Sequence, residues 1–366
     1  MALRKWLWHS AISALLGTGF AEVLHSDVVD TYCERLALDI PGRVWYADSP
    51  AYNESITSYY SGQERDFRPG CIFSPTDAEE VSSFVKIVTS TIKSCAEKPT
   101  FAVRSGGHMI WAGSANINNG ITLDLRALNS VVLKEDKTVA SLGVGGIWNE
   151  IYPQLVPYNL TVMGGRVSGI GVGGLTTGGE TYSAQAVLSW NVLTDAIAGG
   201  IHFLARRNGW VCDNVYKYQV VLADGEIIEA TASSHEDLWL ALKGGSNNFG
   251  IVTRIDVPTW PMTLMWGGSV AWEYTPEVLL AQANALSNFM SEENFDDAAH
   301  PGIALLFENG EFFIGGSLFY AEPVENPLVY NEFMAIEPMV ANMMSLNTTA
   351  YHVNTTTGLL PPNTTR

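Results

Sequence analysis

The stretch FAVRSGGHMIWAGSANINNGITLDL, Phe101 to Leu125, decides how the chain is read. It opens on an apolar, strand-like run, Phe101-Ala102-Val103, and breaks into Arg104-Ser105-Gly106-Gly107-His108. Glycine enters the positive-φ region without steric cost, so a strand ending in a glycine pair lets successive backbone N–H groups converge. Such a nest binds phosphate oxygens. Two further glycine-rich stretches follow, Gly164 to Gly179 (GGRVSGIGVGGLTTGG) and Gly244 to Gly250 (GGSNNFG). Three backbone-exposing loops on one chain imply one large anionic ligand held mainly by main chain. His108 closes the first nest, and no glutamate or second histidine stands near it at helical metal spacing.

Working outward, hydrophobic periodicity predicts a helix over Ala78 to Ser94, with Val81, Phe84, Val85 and Val88 on one face. A short helix is expected over Val28 to Leu38, and Ala51 to Gln63 reads as loop and turn. Ile121 to Leu125, Val131 to Leu133 and Thr138 to Val144 read as strands, and Trp148 to Val156 as a helix. Past Met262, Leu264 to Trp272 reads as a strand and Pro276 to Met290 as a helix whose apolar face is interrupted by Gln282. Gly302 to Phe307 and Phe312 to Tyr320 predict a hairpin around Asn309-Gly310, a pair suited to a type I′ turn. Asn347 to Arg366 is polar and reads as loop or tail. This alternation indicates an α+β fold. The run Gly169-Ile170-Gly171-Val172-Gly173-Gly174 fits G-x-G-x-x-G, but no convincing strand leads into it. No clearly placed acidic residue follows about 20 positions on, so a Rossmann reading is rejected.

A net charge of −18 argues against binding a phosphate backbone, which needs Lys and Arg. Eleven tryptophans and a high apolar content suit a globular protein with a sizeable core. Met1 to Ala21 reads as a secretory signal: Arg4 and Lys5 form its basic end, Ala11 to Phe20 its apolar part, and Gly19 and Ala21 suit cleavage. Nothing later reaches membrane-spanning length. Sequons stand at Asn53, Asn159, Asn347, Asn354 and Asn363, in keeping with secretion. Four cysteines permit up to two disulfides, whose pairing spacing cannot decide.

The run Arg104 to His108, with Gly120 to Leu125 behind it, resembles the flavin-attachment segment of secreted FAD-linked oxidases related to berberine bridge enzyme, which have the PCMH-type (vanillyl-alcohol-oxidase-type) FAD-binding fold. The resemblance covers about Tyr59 to Pro258 and includes Arg68 to Val81, Leu142 to Trp148, Cys212 to Val215, Val220 to Gly225, Asp237-Leu238-Trp239 and Lys243 to Thr253 in family order. It implies FAD bonded covalently through His108. Val167 stands where some members carry a second attachment cysteine, so single attachment is expected. Arg104, Ser105, Gly106 and Gly107, with Ser168, Gly169, Val172, Gly173, Gly174 and Thr176, are expected to bind the cofactor's pyrophosphate and ring edge, Arg166 walling the same site. Val215, Gly250, Ile251 and Val252 are expected near the adenine and ribityl parts. The resemblance also implies a Cys33–Cys95 disulfide, leaving Cys71 and Cys212 as free buried thiols.

The domain plan expected is a signal at 1–21, an N-terminal segment at 22–64, a PCMH-type domain at 65–258, and a truncated substrate domain with a polar tail at 259–366. The family's catalytic base and a C-terminal segment returning to the FAD domain are expected beyond Arg366, so no catalytic residue is assigned. Glu180 to Gly199 departs from the family as an insert, either a surface loop or a retained intron. Codons for Gly179-Glu180 and Ala198-Gly199 can supply a splice donor and acceptor in frame. The function implied is a secreted, monomeric oxidase that takes hydride from an alcohol or activated C–H of a sugar or secondary metabolite. Oxygen would be the acceptor, giving hydrogen peroxide, and neither nucleic acid nor membrane would be a partner. The alternative is a non-catalytic, truncated or mis-spliced flavin-binding remnant. A glycan-binding module has only the aromatic content behind it.

Overall fold

The computed structural model describes residues 27–92, 97–178, 200–308 and 310–356. A helix, α1 (27–39), packs on a four-stranded sheet of β1 (Val44–Trp45), β2 (Cys71–Phe73), β3 (Phe101–Arg104) and β4 (Ile121–Asp124). The order is β1-β2-β4-β3, and β4 runs parallel to both β2 and β3. Between β1 and β2 lie α2 (Pro50–Thr57) and α3 (Gly62–Arg65), where a loop was expected. Ser49 caps α2 by accepting from Tyr52 N–H, and Pro50 sits at the first helical position, where its missing N–H costs nothing.

α4 (Ala78–Thr89) bridges to a second, antiparallel sheet. Asp77 caps α4 through Glu80 N–H, and the helix stops at Ser90, whose backbone is extended. The second sheet contains β5 (Val131–Leu133), β6 (Val139–Gly143), β8 (Lys217–Val221), β9 (Ile227–Thr231) and β10 (Ile251–Pro258), ordered β5-β6-β10-β8-β9. One continuous core joins the two sheets through Val81, Phe84 and Val85 of α4. Between β6 and β8 come α5 (Trp148–Leu155), β7 (Leu160–Thr161), α6 (Val172–Gly178) and α7 (Ala205–Asn208), and α8 (Glu236–Ala241) follows β9.

After β11 (Trp260–Pro261), which pairs with β7, a third sheet forms from β12 (Met265–Glu273), β13 (Ala299–Glu308), β14 (Glu311–Tyr320), β15 (Met339–Asn342) and β16 (Ser345–Asn347). It is antiparallel throughout, and α9 (Pro276–Phe289) and the short α10 (Asn331–Met334) back it. Gly310 takes φ +90° at the expected hairpin, whose strands run longer than predicted. Gln282 is buried in α9, and both polar atoms of its amide lack partners among the described residues. The polar stretch read as tail contains the helix α11 (Thr349–Thr355), capped by Thr348. α11 returns to pack on α5, and Val353 joins the core of the first two sheets.

The expected Cys33–Cys95 bridge is corrected: Cys33 pairs with Cys71, their Cα atoms 6.1 Å apart. The reason is topological. α1 lies against the start of β2 so closely that a Cβ on Gly70 would stand 2.6 Å from Val29 Cγ1. Cys95 lies outside the described residues, and Cys212 is a free buried thiol. Cys33→Ser is expected to lower stability by about 2–5 kcal/mol, because the bridge closes a long loop of the unfolded chain. Urea unfolding measures the loss, and non-reducing peptide mapping that found Cys33 joined to Cys95 would overturn the pairing.

Candidate functional site

β3 delivers Arg104 to the end of its sheet, and the chain then turns through the expected nest. Arg104 points away from it. Its guanidinium is fully buried, donating to Ser55 O (2.6 Å), Ser55 Oγ (3.1 Å) and Ser58 Oγ (2.9 Å). It lies 3.6 Å over the Tyr59 ring and 3.8 Å from Asp124 Oδ2. Asp124 also accepts from Ser55 Oγ (2.7 Å) and pairs with Arg126 at 2.9 Å. Burial pushes the Asp124 carboxyl up, but Arg104 and Arg126 outweigh it and hold the group below the ordinary carboxylate range. Arg104, expected to touch the ligand, is instead the foundation under the nest: a Cβ on Gly107 (φ +72°) would stand 2.8 Å from Arg104 Nε.

The first two glycine stretches meet backbone to backbone. A Cβ on Gly106 would fall 2.5 Å from Gly171 N, and one on Gly171 would fall 2.3 Å from Gly106 N. Ser105 Oγ ties the crossing, donating to Val144 O (2.6 Å) and accepting from Gly173 N–H (3.2 Å). Val172 N–H donates to Gly146 O, and Gly169 N–H (φ +83°) to Asn149 Oδ1 at 2.8 Å. Ser168 N–H donates to Thr356 O, so the end of α11 braces this loop. The third stretch joins at α6, where Ser246 N–H donates to Thr177 O at 3.0 Å. Gly250 (φ +138°) opens into Ile251 and Val252 of β10, and Thr253 O then accepts from Val144 N–H. Val215 is buried in the core, and its carbonyl holds Trp239 Nε1 at 3.0 Å.

His108 is half-buried at the edge of this crossing. Its ring stacks on Tyr60, centroids 4.1 Å apart and planes 20° apart. A Cβ on Gly169 would lie 3.5 Å from His108 Cδ2, so the second loop faces the imidazole. Tyr60 N–H donates to Gly107 O, which fixes the tyrosine beside the ring. Neither Tyr60 nor the bracing Thr356 was predicted, since each sits in a stretch read as loop.

The residues fit a flavin dinucleotide. Gly174 is exposed, and a Cβ there would meet nothing among the described residues within 4 Å, leaving that face of α6 open to them. Thr176 Oγ1, two residues on, is buried without a hydrogen-bond partner among the described residues. An acceptor-rich ligand at α6 would satisfy it. Among the described residues no group of three or more His, Cys, Asp or Glu side chains could hold a metal ion. The described chain stops at Gly178 and resumes at Gly200, where a Cβ would stand 2.7 Å from Leu175 Cγ. The insert at Glu180–Gly199 lies outside the described residues.

Arg166 is drawn toward the third sheet, its Nη1 2.5 Å from His300 Nε2. Among the sequons, Asn53, Asn159 and Asn354 are exposed, Asn347 is half-buried, and Asn363 lies outside the described residues.

Comparison with known proteins agrees with this geometry. A family profile described as an FAD binding domain matches residues 69–196. The FAD-dependent monooxygenase drtC of Aspergillus calidoustus is 36% identical over 293 residues, covering 78% of this chain and 50% of that protein. The FAD-dependent monooxygenase sdcF of Emericella nidulans is 33% identical over 322 residues, 87% of this chain and 62% of that one. The chain thus spans about half the length of drtC. Among solved structures, 6-hydroxy-D-nicotine oxidase from Arthrobacter nicotinovorans superposes with a TM-score of 0.69 at 22% identity, over 86% of this chain and 63% of that one. The glucooligosaccharide oxidase of Acremonium strictum superposes with a TM-score of 0.68 at 17% identity, over 90% and 63%. These structures share the fold, and the relatives named by sequence are monooxygenases where an oxidase was expected. Profile, relatives and fold together show an FAD-binding domain in a PCMH-type fold, similar in sequence to FAD-dependent monooxygenases and in fold to berberine bridge enzyme-like proteins.

Proposed function

We propose that this chain holds FAD through a single covalent bond at His108 and serves a secreted oxidase acting on a small-molecule alcohol or activated C–H. The observation that carries the reading is His108 itself, half-exposed at the crossing of the Gly106 and Gly171 loops and clamped between Tyr60 and Gly169. A histidine locked by a stacked ring presents its nitrogen in one orientation, which bond formation to a bound ring requires. The second loop carries Val167, which is buried and offers no thiol for another linkage. When bound, FAD supplies the redox chemistry, taking two electrons from substrate and passing them to oxygen as hydrogen peroxide. The protein's part is to orient the cofactor: the nest takes the pyrophosphate, and Thr176 offers a hydroxyl beside it.

Secretion is supported by the Cys33–Cys71 bridge, since disulfides persist in oxidising compartments, and by exposed sequon asparagines. Among the described residues no helix is long and apolar enough to cross a membrane.

The test is in-gel flavin fluorescence after denaturation, on protein from a secreting host. Fluorescence that survives denaturation, and falls at least tenfold in His108→Ala, is the expected result. Flavin retained covalently in His108→Ala would sink the assignment. Peroxide formed mole for mole with oxygen consumed separates the oxidase from a monooxygenase and from the non-catalytic reading.

A further inference from the structure

Residues 202–207 cross from the cofactor domain to the third sheet. Phe203 packs on Phe319 with centroids 4.5 Å apart, and Arg207 binds Asp297 (2.8 Å) and Glu322 (2.9 Å). Within this bridge His202 is 3% exposed. Leu204 N–H donates to His202 Nδ1 at 3.1 Å, so Nδ1 is the unprotonated nitrogen and Nε2 carries the hydrogen. That Nε2–H is buried and has no partner among the described residues. Burial, helped by the nearby Arg166 charge, pushes the His202 pKa down to about 3, so the ring stays a neutral donor.

Arg206 lies between Phe289 and Phe295, its guanidinium 4.5 and 4.4 Å from their ring centres, and its Nη1 is buried without a partner among the described residues. Across from them stands His300, which accepts at Nε2 from Arg166 because a guanidinium can only donate. Burial first, then Arg166, His202 and Arg206, holds His300 well below its ordinary pKa. In a chain of net charge −18, this corner presents a neutral N–H and a guanidinium with buried hydrogens unused. Asp297 senses Arg206 but is already bound by Arg207. A buried donor left unmatched is unfavourable until an acceptor reaches it. A carboxylate, with two oxygens and several lone pairs, matches an N–H beside a guanidinium fork.

We propose that His202 and Arg206 form an oxyanion subsite that takes the carboxylate of a small organic acid at the junction of the cofactor domain and the third sheet. Its position gives it a use. Arg166 contacts His300 of the third sheet, acts on His202, and precedes by three residues the Gly169 that faces His108, which sets the subsite between the third sheet and the cofactor nest. The pyrophosphate nest is a separate feature, at Gly106 and Gly171. That the acid is the substrate rests on the function proposed above; that the subsite binds a carboxylate does not.

Benzoate is the probe, benzamide its neutral isostere and inorganic pyrophosphate the rival anion, titrated against the full chain by tryptophan fluorescence and thermal midpoint. Benzoate should saturate and raise the midpoint, with benzamide and pyrophosphate at least tenfold weaker. Arg206→Met and His202→Phe should each weaken benzoate at least tenfold at unchanged covalent flavin content, while His202→Gln, which keeps an amide donor, should retain binding. Should His202→Phe fail to fold, Arg206→Met and His202→Gln carry the comparison. Equal binding of benzoate and benzamide, pyrophosphate as the tighter ligand, no benzoate binding, or undiminished binding by Arg206→Met would each overturn the proposal. Loss of covalent flavin with the benzoate titration intact would instead sink the functional reading and leave the subsite standing.

Discussion

Asp124→Ala is expected to lower the unfolding free energy by about 3–5 kcal/mol, because it strands the Arg104 guanidinium in the interior. Both side chains are fully buried, and Arg126 binds the same carboxylate from the site's edge. Removing one member of a buried pair costs far more than deleting a surface pair. Asp39→Ala, which frees the exposed Arg35, should therefore cost no more than about 1 kcal/mol. The same pair sets a pH dependence. Folding holds the Asp124 carboxyl below its unfolded value, so its stabilisation is fully present above the unfolded carboxylate pKa of about 4. It is lost as pH falls through the lower, folded value. Urea midpoints at neutral pH and across the acid range measure both effects. Arg104→Met added to Asp124→Ala should recover part of the loss; a double variant no better than the single would show that the charge is not what matters.

Gly106→Ala should cost about 3 kcal/mol or more and reduce covalent flavin at least tenfold. Its Cβ would stand 2.5 Å from Gly171 N and 2.6 Å from Gly171 Cα, so the obstruction is backbone that no rotamer change can move aside. Gly174→Ala is the matched control, because a Cβ there meets nothing, and its stability should change little. Thermal unfolding and in-gel fluorescence read the two consequences separately. A Gly106→Ala chain that kept both stability and flavin would refute the close crossing of the two loops.

Much of this fold was legible because local signals and tertiary demands agreed. Asp77 and the acidic first turn marked α4, Asn309-Gly310 marked the hairpin of β13 and β14, and Val131 to Leu133 appears as a strand with the predicted bounds. The misreadings have physical causes. α2 carries a Ser49-Pro50 start signal, but its buried face is Tyr52, Ser55 and Ile56, too polar to show a helical stripe. α11 was read as tail because Asn, Thr and Pro dominate its surroundings, while only Thr349, His352 and Val353 of the helix are buried. The Cys33–Cys71 pairing depends on how α1 lies across β2, which no spacing encodes.

The nest glycines were visible because glycine pairs announce backbone exposure. The direction of Arg104 was hidden, since a strand-end arginine beside a nest can point either way, and only the buried Asp124 and Tyr59 decide it. His202 and Arg206 share one short segment, but His300 comes from β13 much further along the chain, and no motif joins the three.

Gly200 resumes against Leu175, and Gly178 faces Ser246, so departure and return share one doorway beside the cofactor nest. A segment whose two ends are already held together by the fold is nearly free to vary in length, each doubling costing only about 0.6 kcal/mol. For protein engineering the doorway is a socket. A reporter or affinity module seated between Gly178 and Gly200 would ride next to the proposed flavin site while leaving α6 and α7 in place.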